Sequence, residues 1–323
     1  MRALVSLSPR PSHSADAADA AHSLAVVELP LPVPGPGQVR VAVRAAAVNP
    51  VDLATAHGLL AAGGLHPARD SVGLGWDVAG RVDALGPGVA AYRVGDEVVG
   101  LADLLDAVSG THAEYVVLDT HQIAPAPTGV DPIAAATLPL NALTAEQALD
   151  NLALTSGQTL LITGAAGGVG GFAVELAVRR GLRVAAIAGA ADEDLVRGFG
   201  ATWFVPRDVE RLGAAVRALV PGGVDGAVDA AVMGGAEVLG AVRNRGAYTT
   251  LGPVPSVPLR GIRTTNTWIT ADAERLAELS RLADSATGGL TLRVAETYAL
   301  SDAEAAYQRL ARGAVRGRLV LVP

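Results

Sequence analysis

The chain has 323 residues, of which 50% are hydrophobic and 18% charged, and this balance excludes a disordered or fibrous protein. A net charge of −7 and an aromatic content of 3% argue against a nucleic-acid surface or a stacking platform for single strands. The chain has no cysteine, which excludes disulfides, thiolate catalysis and cysteine-ligated zinc, and no lysine, which excludes Schiff-base chemistry.

The first part of the chain is predicted to be rich in short strands. Alternating or apolar runs separated by Gly and Pro turns cover residues 2–7, 24–29, 38–47, 77–85 and 112–118. Residues 8–21 form a polar, alanine-rich connection that we expect to be mobile. The pattern predicts a β-rich, partly closed barrel for roughly the first 120 residues. Residues 1–7 alternate like a first strand and lack the long apolar core and cleavage site of a signal peptide, so we expect a cytoplasmic protein.

The stretch TLLITGAAGGVGGFAVELA, residues 159–177, is predicted to be a buried strand, a glycine turn and a helix. In a dinucleotide site, glycines permit the tight turn, the approach of a pyrophosphate and the packing of helix on strand. The strict G-x-G-x-x-G pattern is broken, because its first glycine is displaced to Gly164. An ordinary strand-to-helix turn is the alternative. The predicted cofactor-binding residues here are Gly164, Ala165, Ala166, Gly167, Gly168, Val169 and Gly170.

Further strand and helix patterns alternate after this stretch, which favours a Rossmann-type, doubly wound parallel sheet. They cover residues 183–188, 202–205, 209–219, 226–230 and 247–251. Residues 252–261 form a Pro/Gly linker, and 271–285 and 302–312 are predicted helices, the second capped by Ser301. A terminal strand over 318–322 suggests a return to the first domain.

Several short motifs, in this order and spacing, resemble the medium-chain dehydrogenase/reductase superfamily, specifically its zinc-independent quinone oxidoreductase branch. The similarity covers nearly the whole chain. The motifs are Pro34-Gly35-Pro36-Gly37, Asn49-Pro50-Val51-Asp52, Gly75-Trp76-Asp77-Val78-Ala79-Gly80, Gly95-Asp96-Glu97-Val98, Leu138-Pro139, Leu143-Thr144-Ala145, the glycine turn, Phe199-Gly200-Ala201 and residues 316–321.

The resemblance implies a GroES-like catalytic domain over residues 1–124, a Rossmann nucleotide-binding domain over 125–261, and a return to the catalytic domain over 262–323. It implies hydride transfer from NADPH to a quinone or an α,β-unsaturated carbonyl, with the nicotinamide in a cleft between the domains. It also implies a homodimer that pairs the edge strands of two Rossmann sheets, for which residues 246–251 are the candidate edge.

No metal site is predicted. Related alcohol dehydrogenases use zinc, but cysteines are absent and the stretch Gly75-Trp76-Asp77 lacks a histidine. His57, His66, His112 and His121 have no ligand-like spacing, and we expect them to be exposed or to lie in loops. Without a Lewis acid, the substrate must already be polarised, and the protein chiefly orients the reactants.

Three residues are predicted to be catalytic and two to bind substrate. Asn49 and Asp52 stand where the family places cleft residues, although a turn or a helix cap explains both equally well. Thr144 lies in a segment that passes close to the nicotinamide in the family. Asn141 interrupts an apolar segment, and Trp76 is a candidate pocket wall. Ala54 stands where some quinone reductases have a tyrosine, so no proton donor is assigned.

The end of the second Rossmann strand bears on the cofactor. It reads Ala188-Gly189-Ala190, without the acid that commonly binds an NAD ribose, which permits a 2′-phosphate. Arg207 is the candidate phosphate partner, and the acids from Asp192 are expected to begin the next helix. Gly189 and Leu251 complete the predicted cofactor-binding set. NADPH is therefore the expected cofactor, with NADH as the alternative.

Two other functions stay open. The scaffold of such an enzyme also suits a non-redox biosynthetic step, such as a cyclisation or elimination, which Ala54 and the altered cofactor contacts motivate. A nucleotide-binding protein without catalysis is the third hypothesis. In each case we expect a small-molecule partner and neither nucleic acid nor membrane.

Overall fold

The computed structural model describes residues 1–8, 22–105, 107–252, 259–284, 286 and 289–323. The connection predicted after Ser8, the centre of the linker predicted over 252–261 and the last residue of the helix predicted over 271–285 lie outside the described residues. The chain forms two compact units. We name them the β-rich unit, Met1–Leu140 with Thr270–Pro323, and the parallel-sheet unit, Asn141–Ile269.

The elements before the glycine turn are mostly short strands, as the alternating pattern predicts. In chain order they are β1 Arg2–Leu7, β2 Ser23–Glu28, β3 Gln38–Val48, α1 Pro50–Ala56, α2 Leu59–Ala62, β4 Ser71–Gly73, β5 Asp77–Leu85, β6 Glu97–Leu101, β7 Tyr115–Asp119, β8 Ile123–Pro125, α3 Pro132–Ala135 and α4 Pro139–Leu152.

Strands and helices alternate from the glycine turn onward. They are β9 Thr159–Thr163, α5 Gly168–Arg179, β10 Arg183–Ala188, α6 Glu193–Gly198, β11 Trp203–Pro206, α7 Leu212–Leu219, β12 Val224–Asp229, α8 Gly235–Ala241, β13 Val242–Thr250 and β14 Arg263–Asn266. The closing elements are α9 Ala273–Leu282, β15 Val294–Ala299, α10 Ala303–Ala311 and β16 Arg318–Val322.

The β-rich unit is built on two sheets. One has the order β2-β1-β4, and the other has the order β15-β16-β3-β5-β6-β8, with β7 also paired to β3. The terminal strand β16 pairs antiparallel with β3, so the end of the chain completes this unit. Inward-facing side chains of β3 and β5, among them Val39, Val41 and Val78, form its core.

The parallel-sheet unit has the strand order β11-β10-β9-β12-β13-β14, with every pair parallel. This order reverses direction beside β9, which is the arrangement of a Rossmann fold. All five residues of β9 are buried, as a central parallel strand requires. The predicted fold class, a Rossmann-type sheet with a GroES-like β-rich domain, is confirmed. Among the described residues, no helix combines the length and apolarity needed to cross a membrane.

The unit boundaries fall later than the domain limits expected over 1–124, 125–261 and 262–323. Helix α3 packs on β3 and β5, which places it in the β-rich unit. Strand β14 pairs with β13 from Ala247↔Arg263 to Thr250↔Asn266, which extends the parallel sheet beyond the expected limit. The sequence Arg-Thr-Thr-Asn of β14 has no apolar alternation, so its pairing was not apparent from the pattern.

Two local predictions are corrected. Residues 246–250 of the expected edge strand belong to β13, which lies between β12 and β14, so among the described strands β14 is the edge on that side. The predicted cap Ser301 lies within a single 3₁₀ turn, Leu300–Asp302, and Asp302 is the residue at the N-cap of α10.

Candidate functional site

The turn between β9 and α5 is shaped by its glycines. Gly164 has a φ of +62°, in the left-handed region that glycine adopts without strain. A Cβ on Gly170 would lie 2.1 Å from the carbonyl oxygen of Gly164. Helix α5 therefore packs directly on the turn and requires glycine at position 170. This is the close helix–strand packing expected of a dinucleotide turn.

The same turn leads directly into the N-terminus of α5. Gly167, the N-cap residue, is extended, and its N–H donates to Gly164 O at 2.8 Å, which closes the turn. Ala165 N donates to Ile187 O at 3.0 Å, which ties the turn to β10. The first backbone N–H groups of a helix have no acceptor within the helix, and they attract a phosphate. The turn from Gly164 to Gly170 therefore fits a pyrophosphate.

The end of β10 brings the other predicted cofactor residues together. Arg207 N donates to Ala188 O at 2.8 Å, so Arg207 follows β11 directly beside Gly189. An acid lies at the same place, because a Cβ on Gly189 would be 3.1 Å from Asp192 Oδ2. Leu251 N donates to Asp229 O at 3.3 Å, which places Leu251 beside the end of β12.

Asn49 and Asp52 are brought together at the start of α1, where both are fully buried. Asn49 N donates to Asp52 Oδ2 at 2.7 Å, and Gly75 N donates to Asp52 Oδ1 at 3.1 Å. The Asn49 amide donates from Nδ2 to Asp77 Oδ2 at 2.7 Å. Asp77 Oδ1 accepts from Leu140 N, in the first turn of α4, at 2.6 Å.

Asp77 is a residue that the sequence reasoning did not select. It begins β5 inside the apolar run of Gly75-Trp76-Asp77-Val78-Ala79-Gly80, and a charged residue in such a run was the available signal. Its carboxylate connects two segments that contain predicted site residues, the Asn49 turn and the start of α4.

Burial raises the pKa of Asp52 and that of Asp77 to about 7. Their hydrogen bonds and the positive charge of Arg318 oppose that rise. Arg318 is itself buried on β16, and burial lowers its pKa to about 10, so it stays cationic at neutral pH. The cluster is thus two buried acids beside one buried cation.

His112 lies in the loop between β6 and β7, as expected, but its side chain is buried. Its Nε2 lies 3.0 Å from Ala47 O, which only accepts, so Nε2 carries the proton. Its Nδ1 then accepts from the phenol of Tyr307 at 3.0 Å. Burial lowers the pKa of His112 to about 4, so the ring is neutral at physiological pH. The partner residues are 195 positions apart, which is why sequence spacing could not reveal them.

The remaining predicted site residues are also buried. Trp76 is 4% exposed and directly precedes Asp77. Asn141 and Thr144 lie on α4, just after Leu140, and both are buried. The structure therefore gathers Asn49 and Asp52 around Asp77, and gathers the glycine turn, Leu251, Gly189 and Arg207 along the carboxyl edge of the parallel sheet.

The described residues do not fit a zinc ion. The chain has no cysteine, and in the part that the structure describes, no group of three or more His, Asp or Glu side chains is placed to hold a metal. A catalytic zinc needs three protein ligands.

The sequence matches two protein families. Residues 35–128 match the "Alcohol dehydrogenase GroES-like domain" and residues 199–321 match "Zinc-binding dehydrogenase". A chloroplastic quinone-oxidoreductase homolog from Spinacia oleracea is 39% identical over 165 residues, which are 49% of each chain. The match covers about half the length of this relative, but only 4% of Erythronolide synthase EryA2 from Saccharopolyspora erythraea, to which the chain is 40% identical over 161 residues.

Solved structures match over the whole chain. An NAD-dependent alcohol dehydrogenase is 30% identical, with a TM-score of 0.83 and coverage of 100% of both chains. A mycobacterial protein complexed with NADPH is 28% identical, with a TM-score of 0.81 and coverage of 100% of both chains. The chain belongs to the medium-chain dehydrogenase/reductase superfamily, in its quinone-oxidoreductase-like branch.

Proposed function

We propose that the chain is a zinc-independent oxidoreductase that uses NADPH to reduce a quinone or an α,β-unsaturated carbonyl compound. The observation that carries the proposal is the glycine turn between β9 and α5, where Gly170 packs against Gly164 O and the helix begins directly after the turn. Two similar proteins support the class of reaction: the mycobacterial protein complexed with NADPH and the quinone-oxidoreductase homolog from Spinacia oleracea.

The chain's own residues bind and orient the reactants. The N–H groups at the start of α5 hold the pyrophosphate, and the bound cofactor supplies the hydride. No zinc polarises the substrate in this proposal, so the acceptor must be conjugated and already electrophilic at its β-carbon or ring.

Asn49 enters the proposal as an orienting residue. Its Nδ2 is directed to Asp77 Oδ2 at 2.7 Å and to Ala47 O at 3.4 Å, so its N–H groups face the protein. A group that stabilises a developing enolate must donate a hydrogen bond. We therefore assign the Asn49 amide the role of holding the site in shape. No side chain is assigned as the proton donor.

NADPH is proposed over NADH because Arg207 stands beside Gly189, where a 2′-phosphate would lie. Asp192 Oδ2 is also near Gly189 and opposes a phosphate there. The guanidinium is the stronger partner in this proposal, because it offers two parallel N–H donors to a phosphate.

The test is a spectrophotometric assay that follows the loss of reduced-nicotinamide absorbance with NADPH and NADH in parallel, against a panel of quinones and enones. Oxidation that depends on both protein and acceptor is expected, at a higher rate with NADPH. Dinucleotide binding by fluorescence without oxidation would overturn the reductase proposal, and conversion of a substrate without oxidation would establish the non-redox function instead.

We also propose that the protein is a homodimer that pairs through β14, the edge strand of the parallel sheet. A second copy, related to the first by a two-fold axis, can extend a sheet symmetrically at its edge strand. Light scattering of the full chain should give twice the chain mass. Two single variants test the pairing, Thr264→Pro and Thr265→Pro. Successive backbone N–H groups of a strand point to opposite sides, so one of the two prolines removes an N–H group that faces the second copy. At least one variant should therefore be monomeric.

A further inference from the structure

Val232 has a backbone conformation that its side chain disfavours. Its φ is +52°, in the left-handed region, which a β-branched residue rarely adopts. The surrounding structure must therefore hold this residue, and such strain is found preferentially at ligand sites. Val232 lies in the loop of residues 230–234 that follows β12, at the carboxyl edge of the parallel sheet.

The carboxylate of Asp229, at the end of β12, holds that loop. Asp229 is fully buried. Its Oδ1 accepts from Met233 N at 3.0 Å, and its Oδ2 accepts from Gly234 N at 3.3 Å. The phenol of Tyr248 donates to the same Oδ2 at 3.0 Å and fixes the carboxylate from β13.

Thr163 connects the loop to the glycine turn. Its hydroxyl donates to Asp229 Oδ1 at 2.6 Å and accepts from Ala231 N at 3.0 Å. The loop also touches the turn directly, because a Cβ on Gly164 would lie 3.2 Å from Ala231 Cβ. The segment that contains Val232 thus lies against the turn that fits a pyrophosphate.

The Val232 side chain covers the end of β13. A Cβ on Gly252 would lie 2.5 Å from Val232 Cγ1, so the two residues are in close contact. Val232 is nevertheless 49% exposed. An apolar side chain is therefore held, partly exposed, at the carboxyl edge of the sheet, in the loop that follows β12. Strand β12 is one of the two strands between which the strand order reverses, the place where ligands bind in open α/β sheets.

We propose that Val232 is a contact residue for the bound dinucleotide, and that Asp229 is the positioning residue that holds the loop of residues 230–234 in its left-handed form against it. The inference rests on the proposed nicotinamide function. Asp229 and Thr163 do not touch the ligand in this proposal. Asp229 and Thr163 hold the loop in its conformation, and the Val232 side chain covers apolar surface of the ligand.

The test compares substitutions that separate strain from contact. Val232→Gly relieves the disfavoured backbone conformation and removes the side chain. The matched control is Ala153→Gly, which relieves another left-handed residue, with a φ of +51°, at the start of the connection between α4 and β9. Thermal unfolding and titration of NADPH and NADH by fluorescence are measured for both variants and for the unaltered chain.

Both variants should have a Tm equal to or above that of the unaltered chain. Only Val232→Gly should weaken dinucleotide binding, by about tenfold in Kd, because it removes buried apolar contact. Asp229→Asn should weaken binding as well, since one of its oxygens becomes an N–H₂ group that faces donors. Hydrogen exchange should show residues 231–234 protected when NADPH is bound.

Unchanged Kd in Val232→Gly, or unchanged exchange of residues 231–234, would overturn the inference and leave the reductase proposal intact. Binding without oxidation by the unaltered chain would overturn the reductase proposal, while the comparison of Kd values would still test Val232. A chain that binds neither dinucleotide would overturn both.

Discussion

The Asn49 amide and the Asp77 carboxylate are joined by a hydrogen bond of 2.7 Å in the interior of the β-rich unit. Asp77 also accepts from Leu140 N at 2.6 Å, so one buried acid holds both the Asn49 turn and the first turn of α4. The helix terminus and the acid favour each other, because the N-terminal N–H groups of a helix attract negative charge. Two segments with predicted site residues therefore depend on a residue that the motif reading did not select.

Asp77→Ala should destabilise the protein by about 3 kcal/mol, because Asn49 Nδ2 and Leu140 N each lose a buried acceptor. Urea unfolding at pH 7 measures the difference in free energy. Asp83→Ala is the control on the same strand. Asp83 pairs with Arg40 and is partly exposed, so its loss should cost about 1 kcal/mol or less. Equal stability of the two variants would contradict the role of Asp77.

The buried His112 should make the folded protein less stable in acid. Its folded-state pKa, about 4, lies below the ordinary value of 6.5, so the unfolded chain takes up the proton first. Stability from this group is complete above pH 6.5 and falls as the pH drops toward 4, in total on the order of 3 kcal/mol. His112→Gln retains a donor and an acceptor without titrating. Urea unfolding across this range should show a shallower acid decline for the variant, and parallel curves would refute the prediction.

Gly170→Ala should disrupt the glycine turn between β9 and α5. The new Cβ would lie 2.1 Å from Gly164 O, a backbone atom, so the helix or the turn must move. We expect a loss of about 2 kcal/mol in stability and at least a roughly tenfold weaker Kd for NADPH. Gly198→Ala in α6 is the control, since a Cβ there meets no atom within 4 Å and should be neutral or stabilising. Wild-type affinity in Gly170→Ala would show that the turn does not hold the dinucleotide.

Arg207→Ala should raise KM for NADPH about tenfold or more and leave KM for NADH nearly unchanged, because only NADPH has the 2′-phosphate. Asp192→Asn should shift the ratio of KM values in the opposite direction, since it removes a negative charge beside Gly189. Arg197→Ala controls for a general loss of positive charge, because Arg197 pairs with Glu193 within α6. An equal change for both cofactors would place the phosphate elsewhere.

The fold could be predicted to a large extent because its signals are local in sequence. Apolar alternation over 77–85 and the apolar run over 159–163 gave strands with the bounds that the structure shows. The glycine turn followed from spacing alone, since its steric demands arise between near neighbours. Strand β14 was missed, because its polar residues show no alternation and only the adjacent β13 makes it a strand.

Sequence alone determined the fold class and the place of the glycine turn, because periodicity and glycine spacing are properties of short segments, and the order of its short motifs carried the resemblance to the superfamily. Only the tertiary structure decided which polar groups are buried together: Asp77 with Asn49, His112 with Tyr307, and Asp229 with Thr163. These partners are 28, 195 and 66 residues apart. Their pairing depends on which strands meet in the sheet, since a buried polar group must find its partner among the residues that packing brings to it.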